Sequence, residues 1–137
     1  MIKPIIVFHA HCPDGAMAAA VAYNHFKGDV DLVPASYQTP LDEVIPPEML
    51  APVPCPDCAP TGDASGILTC FGTCSTCDNE HVVKRVVYVL DFSFSPRDTD
   101  ALAARVGEVV VLDHHKSAME KYTGMMTADV KFVGKTD

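Results

Sequence analysis

Three consecutive residues, Asp113, His114 and His115, follow the apolar run Val109–Leu112. Carboxylate and imidazole side chains bind divalent cations and move protons near neutral pH. Two other apolar runs end in the same chemistry. Ile2–His9 leads into "HAHCPDG", which carries His9, His11, Cys12 and Asp14, and Val82–Leu90 leads into Asp91. Crowded carboxylates repel one another, and divalent cations among them remove the conflict. Mixed Asp and His ligands suit Mn2+, Fe2+, Zn2+ or Co2+. Two such ions about 3.5–4 Å apart can clamp a phosphoryl group and activate water for attack. Taken singly, Asp91 serves equally well as a cap or turn residue in "DFSFSP". His25, inside a helical run, reads as a packed or exposed side chain.

A second constellation is made of cysteines. Cys55-x2-Cys58 and Cys74-x2-Cys77 are separated by fifteen residues, which matches zinc-ribbon spacing. Each C-x2-C forms a tight knuckle that turns two sulfurs toward one ion, and four thiolates close a structural tetrahedral Zn2+ site. Cys70 is a spare that could replace Cys74, and His81 is a further candidate. Disulfides are disfavoured because no secretory signal precedes them. A redox pair would need its C-x2-C at the start of a helix, and the surrounding prolines and glycines argue against one. The insertion spans residues 52–80 and is poor in apolar residues, so metal would supply its folding energy.

These residues need elements to position them. Ile2–His9, Asp31–Ala35, Val82–Leu90, Val109–Leu112 and Ala128–Val133 read as strands, from their β-branched and apolar content. Ala16–Phe26, Asp98–Val106 and Ser117–Tyr122 read as helices, the first stopped by Gly28. Thr39–Pro54 holds five prolines and reads as loop with at most a turn of helix. Strands alternating with helices predict an α/β fold, with a parallel sheet sandwiched by helices and a small zinc-ribbon-like insertion. Ligands of open α/β sheets bind beyond the carboxyl ends of the strands. Three strands here end in ligand-capable residues, so those ends are expected on one edge.

The chain has 137 residues, which suits one domain, residues 1–137. A net charge of −8 with no basic stripe argues against gripping a long duplex. It leaves room for a small phosphorylated substrate whose charge is met by metal. No run approaches the ~20 apolar residues of a membrane span. The expected setting is the cytoplasm, with no membrane partner.

"FHAHCPDGAMAAAVAY", "VYVLDFSFSP" and "VVVLDHHKSA" together resemble the first three motifs of the DHH phosphoesterase family, in the expected order and at strand ends. The resemblance covers essentially residues 2–133 apart from the cysteine island. The family includes single-strand DNA exonucleases, oligoribonucleases, cyclic-dinucleotide phosphodiesterases and a class of inorganic pyrophosphatases. Its members typically hydrolyse phosphoester or phosphoanhydride bonds at a dinuclear manganese site. The resemblance implies that Asp14, Asp91, Asp113 and His114 are metal ligands, with Asp91 bridging. It matches His9 to the motif histidine of the first strand and places His115 beside the substrate phosphate, or orienting a ligand. Asp113, His114 and His115 would form the catalytic triplet. Lys116 could meet phosphate charge, although a solvated lysine is the simpler account. The implied reaction is in-line attack of a metal-bound hydroxide on a short single-stranded oligonucleotide or small nucleotide.

Two features depart from the family pattern. Many members have Asp-x-Asp in the first motif, where this chain has Cys12-Pro13-Asp14. A Cys12 thiolate can bind metal, and as a softer ligand it would favour Zn2+ or Fe2+ over Mn2+; the reading preferred here is a small packed residue. Members also continue to a fourth metal-binding Asp and a second, substrate-binding domain; Asp129 and Asp137 do not lie in a recognisable fourth motif. The expectation is therefore either a phosphoesterase or a truncated, non-catalytic module that binds metal, nucleotide or a partner. On either reading, a partner is a candidate source of the C-terminal part that the family pattern includes.

Overall fold

The computed structural model describes residues 2–60, 68–69, 74–122 and 130–133. Its main sheet has five strands: β1 (Ile5–His9), β2 (Asp31–Ala35), β3 (Val86–Leu90), β4 (Glu108–Leu112) and β5 (Val130–Val133). Their spatial order is β2-β1-β3-β4-β5, and all neighbours are parallel. The chain therefore leaves β1 toward one side and returns to build the other side from β3. With right-handed crossovers, this reversal puts helices on opposite faces.

Alternating residues sort onto those two faces. Val7, Val33, Val89, Val111 and Phe132 stand in register across one face. That face packs against α2 (Leu41–Val44), the 3-10 turn Pro47–Leu50, α3 (Pro96–Ala103) and α4 (Lys116–Tyr122) through Leu41, Val44, Leu50, Leu102 and Tyr122. Two linked polar groups are satisfied inside it. The Tyr122 hydroxyl donates to the Phe94 carbonyl at 2.6 Å and is bonded to the Thr99 hydroxyl at 2.6 Å. On the opposite face, α1 (Pro13–His25) covers Ile6, Phe8 and Leu90. Beyond α1, Tyr88 and Val110 are half-buried, while Leu112 and Val133 are exposed.

Local chemistry explains the boundaries. Pro13 occupies the first helical position of α1, where a missing N–H costs nothing. The helix therefore starts three residues before the apolar run that announces it. Gly28, at φ +82°, donates to Tyr23 and closes the end of α1 in the left-handed conformation that glycine favours. Ser95 caps α3 by accepting from the Asp98 amide at 3.1 Å, and Pro96 follows it.

The expected strand Val82–Leu90 is two elements. Val82–Val83 pairs antiparallel with Val53–Pro54, and only Val86–Leu90 joins the main sheet. The break falls at Arg85, whose guanidinium is buried. It donates to the carbonyl of Lys3 at 2.8 Å, to that of Met49 at 3.3 Å and to the Asp31 carboxylate. Cys70, Asp129, Asp137 and the start of the expected Ala128–Val133 strand lie outside the described residues. Among the described residues, no helix is long and apolar enough to cross a membrane.

Candidate metal centres

The reversal of chain direction lies between β1 and β3, where an open parallel sheet leaves a crevice at its carboxyl edge. β1 delivers His9 to that edge, β3 delivers Asp91, and β4 delivers Asp113, His114 and His115. Ligand-capable atoms of Asp91, Asp113, His114 and His115 lie within 4.8 Å of one another. So do those of His9, Cys12 and Asp91. Asp91 belongs to both groups. Its backbone has φ +52°, a conformation that Asp tolerates better than most residues, and the adjacent turn holds His11 at φ +56°. Left-handed backbone at both positions costs energy that the surrounding structure must offset, and such outliers gather at functional sites.

The contacts within the edge are specific. His114 Nε2 stands 2.9 Å from Asp91 Oδ1. Asp113 Oδ1 accepts from the His115 amide at 3.1 Å and pairs with His115 Nδ1. A proton on Nδ1 suits that pairing and would leave Nε2 facing away with its lone pair. Asp113 is buried, and its Oδ2 has no hydrogen-bond partner among the described residues; nor has the buried His9 Nδ1. Buried polar atoms without partners are costly. Here both belong to the ligand-capable groups, and cations there would satisfy them. The residues present fit a metal centre.

Asp14 joins neither close group. It is exposed in the first turn of α1, and it lines the same open groove as Asp91, Asp113 and His114. The groove encloses about 910 Å³ and runs from these residues along Ala18, Ala22, Phe26, Tyr88 and Val110. Among the described residues, its lining includes no Lys or Arg. Lys116 is exposed at the start of α4. His25 also lines the groove and packs edge-on against Phe26, with ring centroids 4.8 Å apart.

Cys55, Cys58, Cys74 and Cys77 form the other cluster, their sulfurs all within 4.8 Å of one another. Cys55 and Cys74 are separated by 3.8 Å between sulfurs, and Cys58 and Cys77 by 3.6 Å. Four thiolates around one ion at about 2.3 Å would have sulfurs about 3.8 Å apart. None of the four is in a disulfide. The backbone amides of Cys77 and Thr76 hydrogen-bond the Cys74 sulfur and bring its thiol down to about 6, which favours the thiolate that metals bind. Burial pushes the Cys55 thiol the other way. The knuckles are held by Asn79 Oδ1, which accepts from the Cys74 amide at 2.9 Å, and by the Cys55 amide donating to the His81 carbonyl at 3.0 Å. The ribbon formed by Val53–Pro54 and Val82–Val83 brings the two knuckles side by side.

No protein-family model matches the chain, and neither a curated protein nor a solved structure matches it.

One neighbour of the Asp/His edge escaped the sequence reading, and another has a different partner from the one preferred there. Tyr37, just past β2, packs edge-on against His9, with centroids 5.3 Å apart, and against Phe92 at 4.7 Å. Burial, and then the charges of Asp113 and Asp91, push its hydroxyl above the ordinary value, while a bond with Ser93 pulls it down. The available signal was position, since Tyr37 follows a strand that ends on the same edge. Cys12, read as packing, instead donates to Asp91 Oδ2 at 3.4 Å.

Proposed function

We propose that this chain is a metal-dependent phosphoesterase domain of DHH type carrying a zinc-knuckle insertion. The observation that carries the reading is the convergence of His9, Asp91, Asp113, His114 and His115 from three adjacent strands, with unpartnered atoms on His9 and Asp113. Asp91, Asp113, His114 and His9 would hold two divalent cations, manganese by resemblance, with Asp14 at the mouth of the groove. When bound, such ions supply Lewis acidity to a phosphoryl group and lower the pKa of the attacking water.

The chain's own residues divide the remaining work. Asp113 fixes the His115 ring through Nδ1, so Nε2 can accept or return a proton at a phosphoryl or leaving-group oxygen. Asp91, held in its left-handed conformation at the end of β3, is shared by the two halves of the centre. The largely apolar groove favours a small substrate with few phosphates. The Phe26 and Tyr88 rings, 5.5 Å apart, offer a surface for a nucleobase. A small nucleotide or short single-stranded oligonucleotide fits these terms. At the other cluster, the sulfur spacing supports one structural Zn2+ held by Cys55, Cys58, Cys74 and Cys77.

The test is Mn2+-dependent hydrolysis of a generic phosphodiester reporter by the wild type and by Asp113→Ala. Turnover lost in the variant is expected, and equal rates would overturn the reading. Metal and nucleotide binding without turnover would favour the non-catalytic module instead.

A further inference from the structure

Asp91 joins two groups whose donor atoms differ in kind. On one side, Asp113, His114 and His115 add carboxylate and imidazole. On the other, His9 and Cys12 add imidazole and sulfur. We propose that the centre holds two unlike cations, with a thiophilic ion of the Zn2+ class between His9, Cys12 and Asp91, and a harder ion of the Mn2+ class between Asp91, Asp113 and His114. This deepens the proposed function at the same site and rests on it.

The placement of Cys12 carries the inference. It stands at the N-cap of α1, where Ser, Thr, Asp and Asn are preferred because their oxygens accept from exposed helix amides. The Cys12 side chain makes no such bond. Its sulfur is instead 3.4 Å from Asp91 Oδ2, a partner 79 positions away. His9 Nδ1 lies 3.9 Å from the same oxygen and has no hydrogen bond. A thiol present only for packing would face apolar neighbours, whereas this one faces a carboxylate and an unpartnered imidazole.

The backbone is built to hold that arrangement. His11 takes φ +56°, which doubles the chain back between His9 and Cys12. Gly15 then lets α1 press against the end of β1, since a Cβ there would sit 2.2 Å from the His9 carbonyl oxygen. Sulfur ligands select softer ions, whereas a set with two carboxylates and one imidazole also accepts a harder ion such as Mn2+. One centre with both sets discriminates between its own two positions.

The test uses the full chain, reduced and preloaded with one equivalent of Zn2+ to fill the four-cysteine cluster. Co2+ is then added, and its near-ultraviolet sulfur-to-cobalt absorption is recorded alongside equilibrium dialysis. The wild type is expected to show the band at the first Co2+ equivalent. Cys12→Ser is expected to lose the band while Mn2+, followed by its paramagnetic resonance, still binds the other position. Cys12→Asp keeps a good helix cap and guards against a folding artefact; it too is expected to lack the band. Wild-type protein that binds Co2+ without the band, or Cys12→Ser that retains it, overturns the two-ion assignment and leaves the phosphoesterase reading standing. Wild-type protein that binds neither Co2+ nor Mn2+ beyond the cysteine cluster overturns both.

Discussion

Replacing Gly15 by alanine separates two physical effects that predict opposite signs. In an ordinary helix the change is favourable by about 0.8–1 kcal/mol, because alanine loses less backbone entropy. Gly15 is not in an ordinary place. The added Cβ would meet the His9 carbonyl oxygen at 2.2 Å and the His9 carbonyl carbon at 3.0 Å. Both are backbone atoms, so no rotamer change relieves the overlap. Ordinary van der Waals contact begins at 3.4 Å, so α1 must withdraw from β1 by roughly 1 Å. Overpacking costs about 1–3 kcal/mol, and an overlap of more than 1 Å with rigid backbone belongs in the upper part of that range, about 2–3 kcal/mol, which outweighs the propensity gain. The expected net loss is about 1–2 kcal/mol, or a fall in Tm of roughly 3–8 °C for a domain of this size. Metal–ligand distances tolerate only about 0.2 Å of error, so affinity at the Asp/His edge is expected to fall by about 10–100-fold even where the fold survives. Thermal unfolding and metal titration of Gly15→Ala read both effects. Ala20→Gly on the exposed side of α1 serves as control, with an expected loss of about 1 kcal/mol. A Gly15→Ala protein that is more stable than wild type, with unchanged metal affinity, would refute the close-approach argument.

Other perturbations have outcomes as definite. Tyr122→Phe leaves the Phe94 carbonyl and the Thr99 hydroxyl without their shared partner inside the core, and a loss of about 1–3 kcal/mol is expected in urea unfolding. Leu102→Ala empties a fully buried position between α3 and the sheet, at an expected cost of about 2–5 kcal/mol. Elemental analysis is expected to find about one zinc per chain fewer in Cys77→Ser than in the wild type; an equal zinc content, or zinc-free wild type with an intact fold, would refute that site. Burial raises the Asp31 carboxyl, but bonds from Lys3 and Arg85 outweigh it and hold the group below 3.8. A carboxyl lowered in the folded state contributes stability that is present above its ordinary value and lost as pH falls through the folded one. The wild-type advantage over Asp31→Asn is therefore expected to shrink below about pH 4, as urea midpoints measured from pH 6 to 2 can check.

Much of the Asp/His edge was legible because strand ends can be read locally. Apolar runs that stop at Asp91 and Asp113 announce their own carboxyl termini, and a parallel sheet aligns those termini. The order of the strands was not legible, because pairing β1 with β3 depends on contacts across some eighty residues. The break at Arg85 was hidden for the same reason. "VVKRVV" looks continuous until the arginine finds the carbonyl of Lys3 and the carboxylate of Asp31. Tyr37 was missed, and packing was preferred for Cys12, because their partners, His9 and Asp91, lie on other elements, and a side chain's partner is not written in its neighbours.

The insertion also alters how the chain can find its fold. The link from Ala35 to Val86 is the longest between neighbouring stretches of the sheet, and long closures slow the pairing of distant strands. Once Val53–Pro54 meets Val82–Val83, with the cysteine cluster clasped between them, the free contour that must close falls from roughly 50 to roughly 20 residues. Polymer closure entropy then drops by about 0.8 kcal/mol. A cation captured early at the cysteines would act as a chain-shortener, making β3 a near neighbour of β2 along the contour before the sheet assembles.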